Sequence, residues 1–256
     1  AALGRCLNVR SSRPRLMLHD PNRHEPLIDS AWDETRAIAA IEWIVRDTEA
    51  RFSEDSYWPL HPEDRQGEHD ARTHETSLYD GACGVLWALG YLHDIGAVRL
   101  DDPYPGKLPA LLARNRAMLG DAAERNRATY LLADTPIHLL GYGRQQTDEL
   151  ESVLSELIAG NTEHPARELM MGSPGTLLAA LFLHEKTGAA RWSDLFRRTA
   201  DRLWSQLEWS TEHGCAYWTQ RFDRRPSTYL DAVHGFVATV VPLSRGRNLL
   251  PEGKWD

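Results

Sequence analysis

Three stretches of this chain begin with glycine and run directly into an apolar segment of helical length. They read GACGVLWAL from Gly81, GSPGTLLAAL from Gly172 and GFVATVVPL from Gly235. Each has a small residue three positions after the first glycine, so that the three stretches can be superposed as copies of one repeat. Because glycine lacks a Cβ, such starts predict close backbone approach, as where several helix N-termini converge on one axis.

A fourth, degraded copy of the repeat fits at DTPIHLLGY, with Asp134 and Ile137 in the glycine places. Amphipathic segments separate the apolar ones, and the clearest of them is predicted over 192–209. Trp192, Trp204 and Trp209 lie along its apolar side. Alternation of an apolar helix with an amphipathic one is typical of two helical layers, in which only the outer layer meets water. The sequence therefore predicts an all-α fold.

Composition excludes some classes of function. The 256-residue chain has a formal net charge of −8 and no dense run of Lys or Arg. This argues against non-specific nucleic-acid binding, which needs a concentrated cationic surface. No apolar run reaches the ~20 residues that a membrane-spanning helix needs. We expect a soluble, cytoplasmic protein, since three cysteines are too few for a disulfide framework.

The three cysteines carry different expectations. Cys6 stands alone, and Cys83 lies inside an apolar helix, where a cysteine behaves as a small hydrophobic side chain. Cys215 begins CAYWTQRF, the one good strand candidate of the chain, and follows His213 with a single glycine between. A catalytic Cys/His pair is one interpretation of this spacing. Core packing of Cys215 is the interpretation that we favour.

Longer motifs resemble the lanthionine synthetase C-like (LanC-like) family. They are SLYDGACGVLWAL, ELMMGSPGTLLAAL and YWTQRF followed by YLDAVHGFVATVVPL, and the likeness runs from about residue 77 to residue 250. The resemblance implies an α/α toroid of about seven helical hairpins, whose inner helices begin with Gly-x-x-Gly. About four hairpins can be counted here. We expect a partial toroid domain over 31–256, preceded by an N-terminal arm over 1–30.

The resemblance also implies a chemistry. LanC-like enzymes use zinc to activate the thiol of a peptide cysteine or of glutathione, which adds to dehydroalanine or dehydrobutyrine in a peptide or protein. The expected partners are therefore a peptide or protein substrate and glutathione. His234 matches the family's His-Gly element, where a histidine acts as acid or base. Glu168, four residues before Gly172, matches an acidic residue implicated in catalysis.

The sequence departs from the family in its metal site. The resemblance implies zinc bound by two cysteines and a histidine, but those elements follow the His-Gly repeat and are absent here, so no metal ligand is assigned. Ala238 stands where the second glycine is usual. His, Asp and Glu residues are frequent in HEPLID and HPEDRQGEHDARTH, which we interpret as solvated loops. Enzymatic activity is expected if the complete chain carries the zinc site. We expect the hairpins counted here to leave an apolar inner edge of the toroid uncovered. A portion of the protein beyond Asp256, or another chain, would cover it.

Other interpretations stay open at this point. In a carbohydrate-active α/α toroid, Glu168 and Asp231 would be the paired acids, with Trp218 and Tyr229 as sugar-binding aromatics. A non-catalytic LanC-like scaffold is the third candidate. Structural roles also compete with catalytic ones: His234 as a buried histidine bonded to a carbonyl, and Glu168 as a cap for the helix that follows it.

Overall fold

The computed structural model describes residues 31–61, 73–100, 104–222 and 225–253, and this part of the chain is mostly helical. Residues Ala40–Asp256 form one compact unit. The expected arm over 1–30 lies outside the described residues. The α-helices are α1 Glu34–Ala50, α2 Ala82–Asp94, α3 Leu108–Leu119, α4 Ala123–Asn126, α5 Asp134–Arg144, α6 Asp148–Gly160, α7 Ser173–Thr187, α8 Ala190–Ser205 and α9 Phe236–Arg245.

Two antiparallel hairpins lie between α8 and α9. Strand β1, Glu208–Ser210, pairs with β2, Cys215–Tyr217, and β3, Gln220–Phe222, pairs with β4, Arg225–Ser227. The predicted strand over 215–222 is therefore two short strands, each paired with a strand that the sequence did not indicate. Core packing of Cys215 is wrong, because the residue is exposed on β2.

Helix α8 is amphipathic as predicted, but it is shorter than the predicted 192–209. It ends at Ser205, and the chain then turns into β1. Trp192 is fully buried and Trp204 packs against the same core, whereas Trp209 on β1 is 66% exposed. The prediction that Trp209 belongs to the helical core is wrong, because the helix ends before Trp209 and its apolar period does not continue into β1.

Helix α7 is at the centre of the largest hydrophobic core. It is buried on most sides, as its nearly uniform apolar composition predicts, and it packs against α8, α6 and α9. Leu177 and Leu181 contribute to this core from α7, and Phe196 and Leu203 contribute from α8. Among the described helices, none has both the length and the apolar content that a membrane crossing requires.

Glycine begins α2, α7 and α9 because the backbone just before each helix folds back against it. Gly81, Gly172 and Gly235 are the N-cap residues, all with extended backbone. A Cβ on Gly172 would lie 1.7 Å from the carbonyl oxygen of Ala166, and one on Gly235 would lie 2.2 Å from the amide nitrogen of Asp231. The close approach that we expected between converging helices is thus a local one, between each helix start and its own preceding turn.

Apolar side chains remain exposed on two of the glycine-led helices. Trp87 and Tyr91 stack on the surface of α2 with ring centroids 5.9 Å apart, and each is more than half exposed. Val237 and Val241 lie one turn apart on α9 and are 44% and 51% exposed. Both helices therefore present apolar side chains to the solvent.

Candidate functional site

The turns that precede the apolar helices are hydrogen bonded to one another in sequence order. The amide of Leu78 donates to the carbonyl oxygen of Leu131 at 3.0 Å, and the amide of Leu131 donates to that of Met170 at 3.1 Å. The amide of Leu169 donates to the carbonyl oxygen of Val233 at 2.8 Å. We call this set of bonds the rim ladder. It places the starts of α2, α5, α7 and α9 side by side.

Glu168 closes the turn before α7. Its Oε1 accepts from the amides of Met171 at 2.6 Å and Gly172 at 3.1 Å, and its Oε2 accepts from the amide of Met170 at 2.9 Å. The side chain is completely buried. The capping role considered from the sequence is therefore modified, because the amides that Glu168 satisfies belong to the turn Met170–Gly172, which precedes the first residue of α7.

Asp231 closes the equivalent turn before α9. Like Glu168, it stands four residues before the N-cap glycine, here Gly235. Its Oδ1 accepts from the amides of Val233 at 2.8 Å and His234 at 2.6 Å. These backbone donors, that of His234 first, lower the pKa of Asp231 from its ordinary value. Unlike Glu168, Asp231 is exposed.

The two residues that the sequence nominated for catalysis contact each other. Nδ1 of His234 lies 3.0 Å from Oε2 of Glu168, although the residues are 66 positions apart in the chain. The His234 side chain is 39% exposed, while that of Glu168 is 0% exposed. Because a carboxylate can only accept, the contact requires the proton on Nδ1, and the second ring nitrogen, Nε2, then carries the chemistry of the neutral ring.

With His234, the Glu168 carboxylate accepts four hydrogen bonds, which is about its full capacity. The pair is therefore asymmetric. Glu168 has no surface through which to reach a substrate, whereas the imidazole of His234 does. The arrangement can orient an acid or base, as a buried carboxylate orients the histidine of a hydrolase triad.

Residues from β3 and α9 fix the backbone next to Glu168. The side-chain amide of Gln220 and the hydroxyl of Thr239 both donate to the carbonyl oxygen of Arg167, at 3.3 and 3.0 Å. Arg167 in turn donates through Nη1 to the carbonyl oxygen of Thr219 at 2.6 Å. Gln220 is completely buried. Sequence reasoning missed its role, although the residue lies within the quoted motif YWTQRF.

A second histidine near the site was also missed. His164 is half-buried, and its Nδ1 accepts from the amide of Ala166 at 3.2 Å. Burial lowers the pKa of His164, and the charge of Glu168 opposes that shift. His164 stands four residues before Glu168 in the chain, but nothing in the sequence distinguishes His164 from a surface histidine.

The described residues do not fit the zinc site that the LanC-like resemblance implies. Among them, no three His, Cys, Asp or Glu side chains come together in a group suited to a metal. Cys83 is buried, and burial raises the pKa of its thiol to about 12, which disfavours the thiolate that zinc binds. Cys215 lies exposed on β2. Cys6 and HEPLID fall outside the described residues, as does most of HPEDRQGEHDARTH.

Asp134, which the sequence placed at a glycine position, has a different role. Helix α5 begins at Asp134, and Ala133 is its N-cap, so the fourth copy is shifted by one residue. Asp134 is buried, and its Oδ2 accepts from Nε of Arg116 at 2.9 Å and from Nε of Arg127 at 3.0 Å. This charge cluster connects α3 to the start of α5.

The aromatics of the carbohydrate alternative lie in unlike environments. Trp218 is 3% exposed and donates through Nε1 to the carbonyl oxygen of Leu203 at 2.8 Å, as a core residue does. Tyr229 is 51% exposed.

Comparison with known proteins adds no family to this picture. No family model matches the chain, and no curated protein matches it.

Proposed function

We propose that this chain is a LanC-like protein in which His234, oriented by Glu168, moves a proton as a thiol adds to a dehydroamino acid of a peptide. In this proposal the helices form an α/α toroid, and the rim ladder lies around its mouth. The observation that carries the proposal is the 3.0 Å contact between Nδ1 of His234 and Oε2 of Glu168. It joins the two residues that the motif resemblance nominated independently.

The proposed step uses only groups of this chain. Neutral His234 takes the thiol proton on Nε2, and the sulfur attacks the β-carbon of dehydroalanine. The π electron pair of the C=C bond moves to the α-carbon, which then takes the proton back from the imidazolium. One S–C bond and one C–H bond form, the S–H bond breaks, and the double bond becomes single. No step passes through zinc, because the described residues do not fit its site.

Glu168 contributes by orientation and charge. It holds the imidazole in the tautomer that leaves Nε2 as the base, and its negative charge stabilises the imidazolium that forms during the step. Glutathione or a peptide cysteine supplies the thiol, and a reducing, cytoplasmic setting would keep that thiol free.

The carbohydrate alternative has less support from the geometry. Glycosidic cleavage needs two carboxyl groups that face the sugar. Glu168 is fully buried and accepts four hydrogen bonds, so that it faces His234 and backbone amides instead. The scaffold alternative predicts no catalysis, and the experiment below separates it from the proposal.

The test measures the initial rate at which glutathione adds to a short dehydroalanine peptide, followed by mass spectrometry. We expect the protein to exceed the rate of the reaction without protein, and H234N to lower the protein-dependent rate by about 100-fold or more. H93N is the matched control, because His93 is an exposed histidine in the last turn of α2. A protein-dependent rate of zero, or equal rates for H234N and H93N, would overturn the proposal.

A further inference from the structure

A carboxylate outside the Glu168–His234 pair is hydrogen bonded to the turn that carries His234. We propose that Asp231 is a positioning residue, whose side chain holds the turn 231–235 in the shape that sets the imidazole of His234 against Glu168. Its role in thiol addition rests on the proposed function, but its effect on the imidazole does not.

The contacts of Asp231 support this role directly. One oxygen, Oδ1, accepts from the amide of His234 itself and from the amide of Val233. The backbone carbonyl of Asp231 accepts from the amide of Gly235 at 3.2 Å. The turn is thus held at three consecutive amides by one residue, and the middle one belongs to the residue that carries the imidazole.

The same turn is bonded to the site on its other side. The carbonyl oxygen of Val233 accepts from the amide of Leu169, one residue after Glu168. Asp231 therefore orients a peptide that is bonded to the Glu168 turn and carries the His234 side chain. A shift of that peptide would change the distance from Nδ1 of His234 to Oε2 of Glu168, on which the tautomer depends.

The other copies of the repeat show the role of the residue that stands four positions before the N-cap glycine. Ser77, Glu168 and Asp231 all stand four residues before an N-cap glycine. Each accepts a hydrogen bond from an amide of its own turn, that of Asp80 at 3.2 Å in the case of Ser77. A turn-holding acceptor is thus common to three repeats. In the last repeat, the amide that it holds belongs to the histidine of the site.

Exposure makes Asp231 suitable for testing. Because the carboxylate lies in water, its removal leaves no cavity and no buried charge without a partner, and the fold should survive. D231A removes the acceptor, D231N keeps a weaker neutral one, and D231S installs the hydroxyl that serves at Ser77. E212A is the matched control, since Glu212 is an exposed acid in the β1–β2 turn.

The first readout is the tautomer of His234 in the full chain, by ¹⁵N–¹H correlation spectroscopy in alkaline buffer, because the two tautomers are defined only for the neutral ring. The signal is assigned from its absence in H234N. We expect the Nδ1–H form in the parent protein and in E212A, and a mixture of the two tautomers in D231A. D231S and D231N should restore part of the parent signal. An unchanged tautomer in D231A overturns the proposal.

The second readout is thiol addition. We expect D231A to lower kcat about 10-fold with little change in KM for the peptide, because orientation rather than binding is lost. A shifted tautomer in D231A, together with no thiol-adding activity in the parent protein, would uphold the role of Asp231 while refuting the proposed function. Should D231A fail to fold by circular dichroism, D231N decides: its weaker acceptor should leave a detectable fraction of the other tautomer, which E212A should not show, and a signal of D231N identical to that of the parent overturns the proposal.

Discussion

The amide of Leu169 donates to the carbonyl oxygen of Val233 at 2.8 Å, one residue after Glu168 and one residue before His234. The side-chain contact of the candidate site is therefore built on a backbone contact between its two turns. Because the backbone bond holds the two turns together, the side chains of Glu168 and His234 are brought within hydrogen-bonding distance of each other. The geometry of the pair should then depend on the turns more than on their surroundings.

Replacement of Glu168 by glutamine should destabilise the protein. Four donors face a carboxylate that can accept them all, whereas an amide turns one acceptor into a donor and leaves a buried amide without a partner. We expect E168Q to lower the free energy of unfolding by about 2 kcal/mol. Titration of E168Q and the parent protein with guanidinium chloride measures this difference in the free energy of unfolding.

The control for this variant is E163Q. Glu163 pairs with Arg202 at 2.6 Å, but the side chain of Glu163 is 67% exposed and that of Arg202 is 42% exposed. Its loss should change the free energy of unfolding by less than about 1 kcal/mol. Equal effects of E163Q and E168Q would contradict the buried, saturated environment of Glu168.

Alanine at Gly172 should be poorly tolerated. The added Cβ would lie 1.7 Å from the carbonyl oxygen of Ala166, so the backbone of the turn must move. We expect G172A to cost about 3 kcal/mol in thermal or chemical unfolding. Gly143, near the end of α5, has no atom within 4 Å of a Cβ. G143A should therefore stabilise by up to about 1 kcal/mol, and a stable G172A would refute the close approach.

The sequence alone was sufficient to predict where the three apolar helices start, because a glycine directly before an apolar run is a local signal. Gly81, Gly172 and Gly235 each lead into a helix as their pattern predicts, and the structure shows them to be the N-cap residues. The sequence could not show in the same way why glycine is required at these three positions. It lies in the path of the preceding turn, which has no hydrophobic period.

The contact between Glu168 and His234 was beyond the sequence for a related reason. Each residue was nominated alone, by its place in a motif, and no pattern indicates which turns are hydrogen bonded across 66 positions. The error at Trp209 has another cause. The apolar period of α8 was extended into a short hairpin, whose turn is marked by Gly214 with φ +62°.

The two described cysteines should differ in their reaction with thiol reagents. Cys215 is exposed, whereas Cys83 is fully buried and has its pKa raised to about 12. In a C6S background at about pH 8, we expect Cys215 to react at least about 100-fold faster than Cys83. Labelling followed by peptide mass spectrometry measures both rates. Rapid labelling of Cys83 in C6S/C215S without denaturant would disagree with its burial.

Stability should fall on mild acidification because of His138. Burial, chiefly, lowers the pKa of this histidine on α5 below its ordinary value, so the unfolded chain binds the proton more readily than the folded one. The stability linked to His138 is present above about pH 6.5 and is lost as the pH falls through the folded-state pKa.

The measurement compares the parent protein with H138Q by urea titration at about pH 5 and pH 7.5. The parent should lose more free energy of unfolding between these two values than H138Q does, since glutamine does not titrate. His93, exposed at the end of α2, supplies the control H93Q, which should follow the parent. The same pH dependence in H138Q and in the parent would rule out the assignment.

The bonds of the rim ladder run between backbone atoms alone, and this gives the protein a use as a starting point for engineering. Side chains at such positions can be exchanged without altering the spacing of the turns. Met170 is the most useful of them, since its amide and Nδ1 of His234 are bonded to the same oxygen, Oε2, of Glu168. A cysteine or aspartate grafted there would introduce a nucleophile or a second acid close to an imidazole whose orientation is already set.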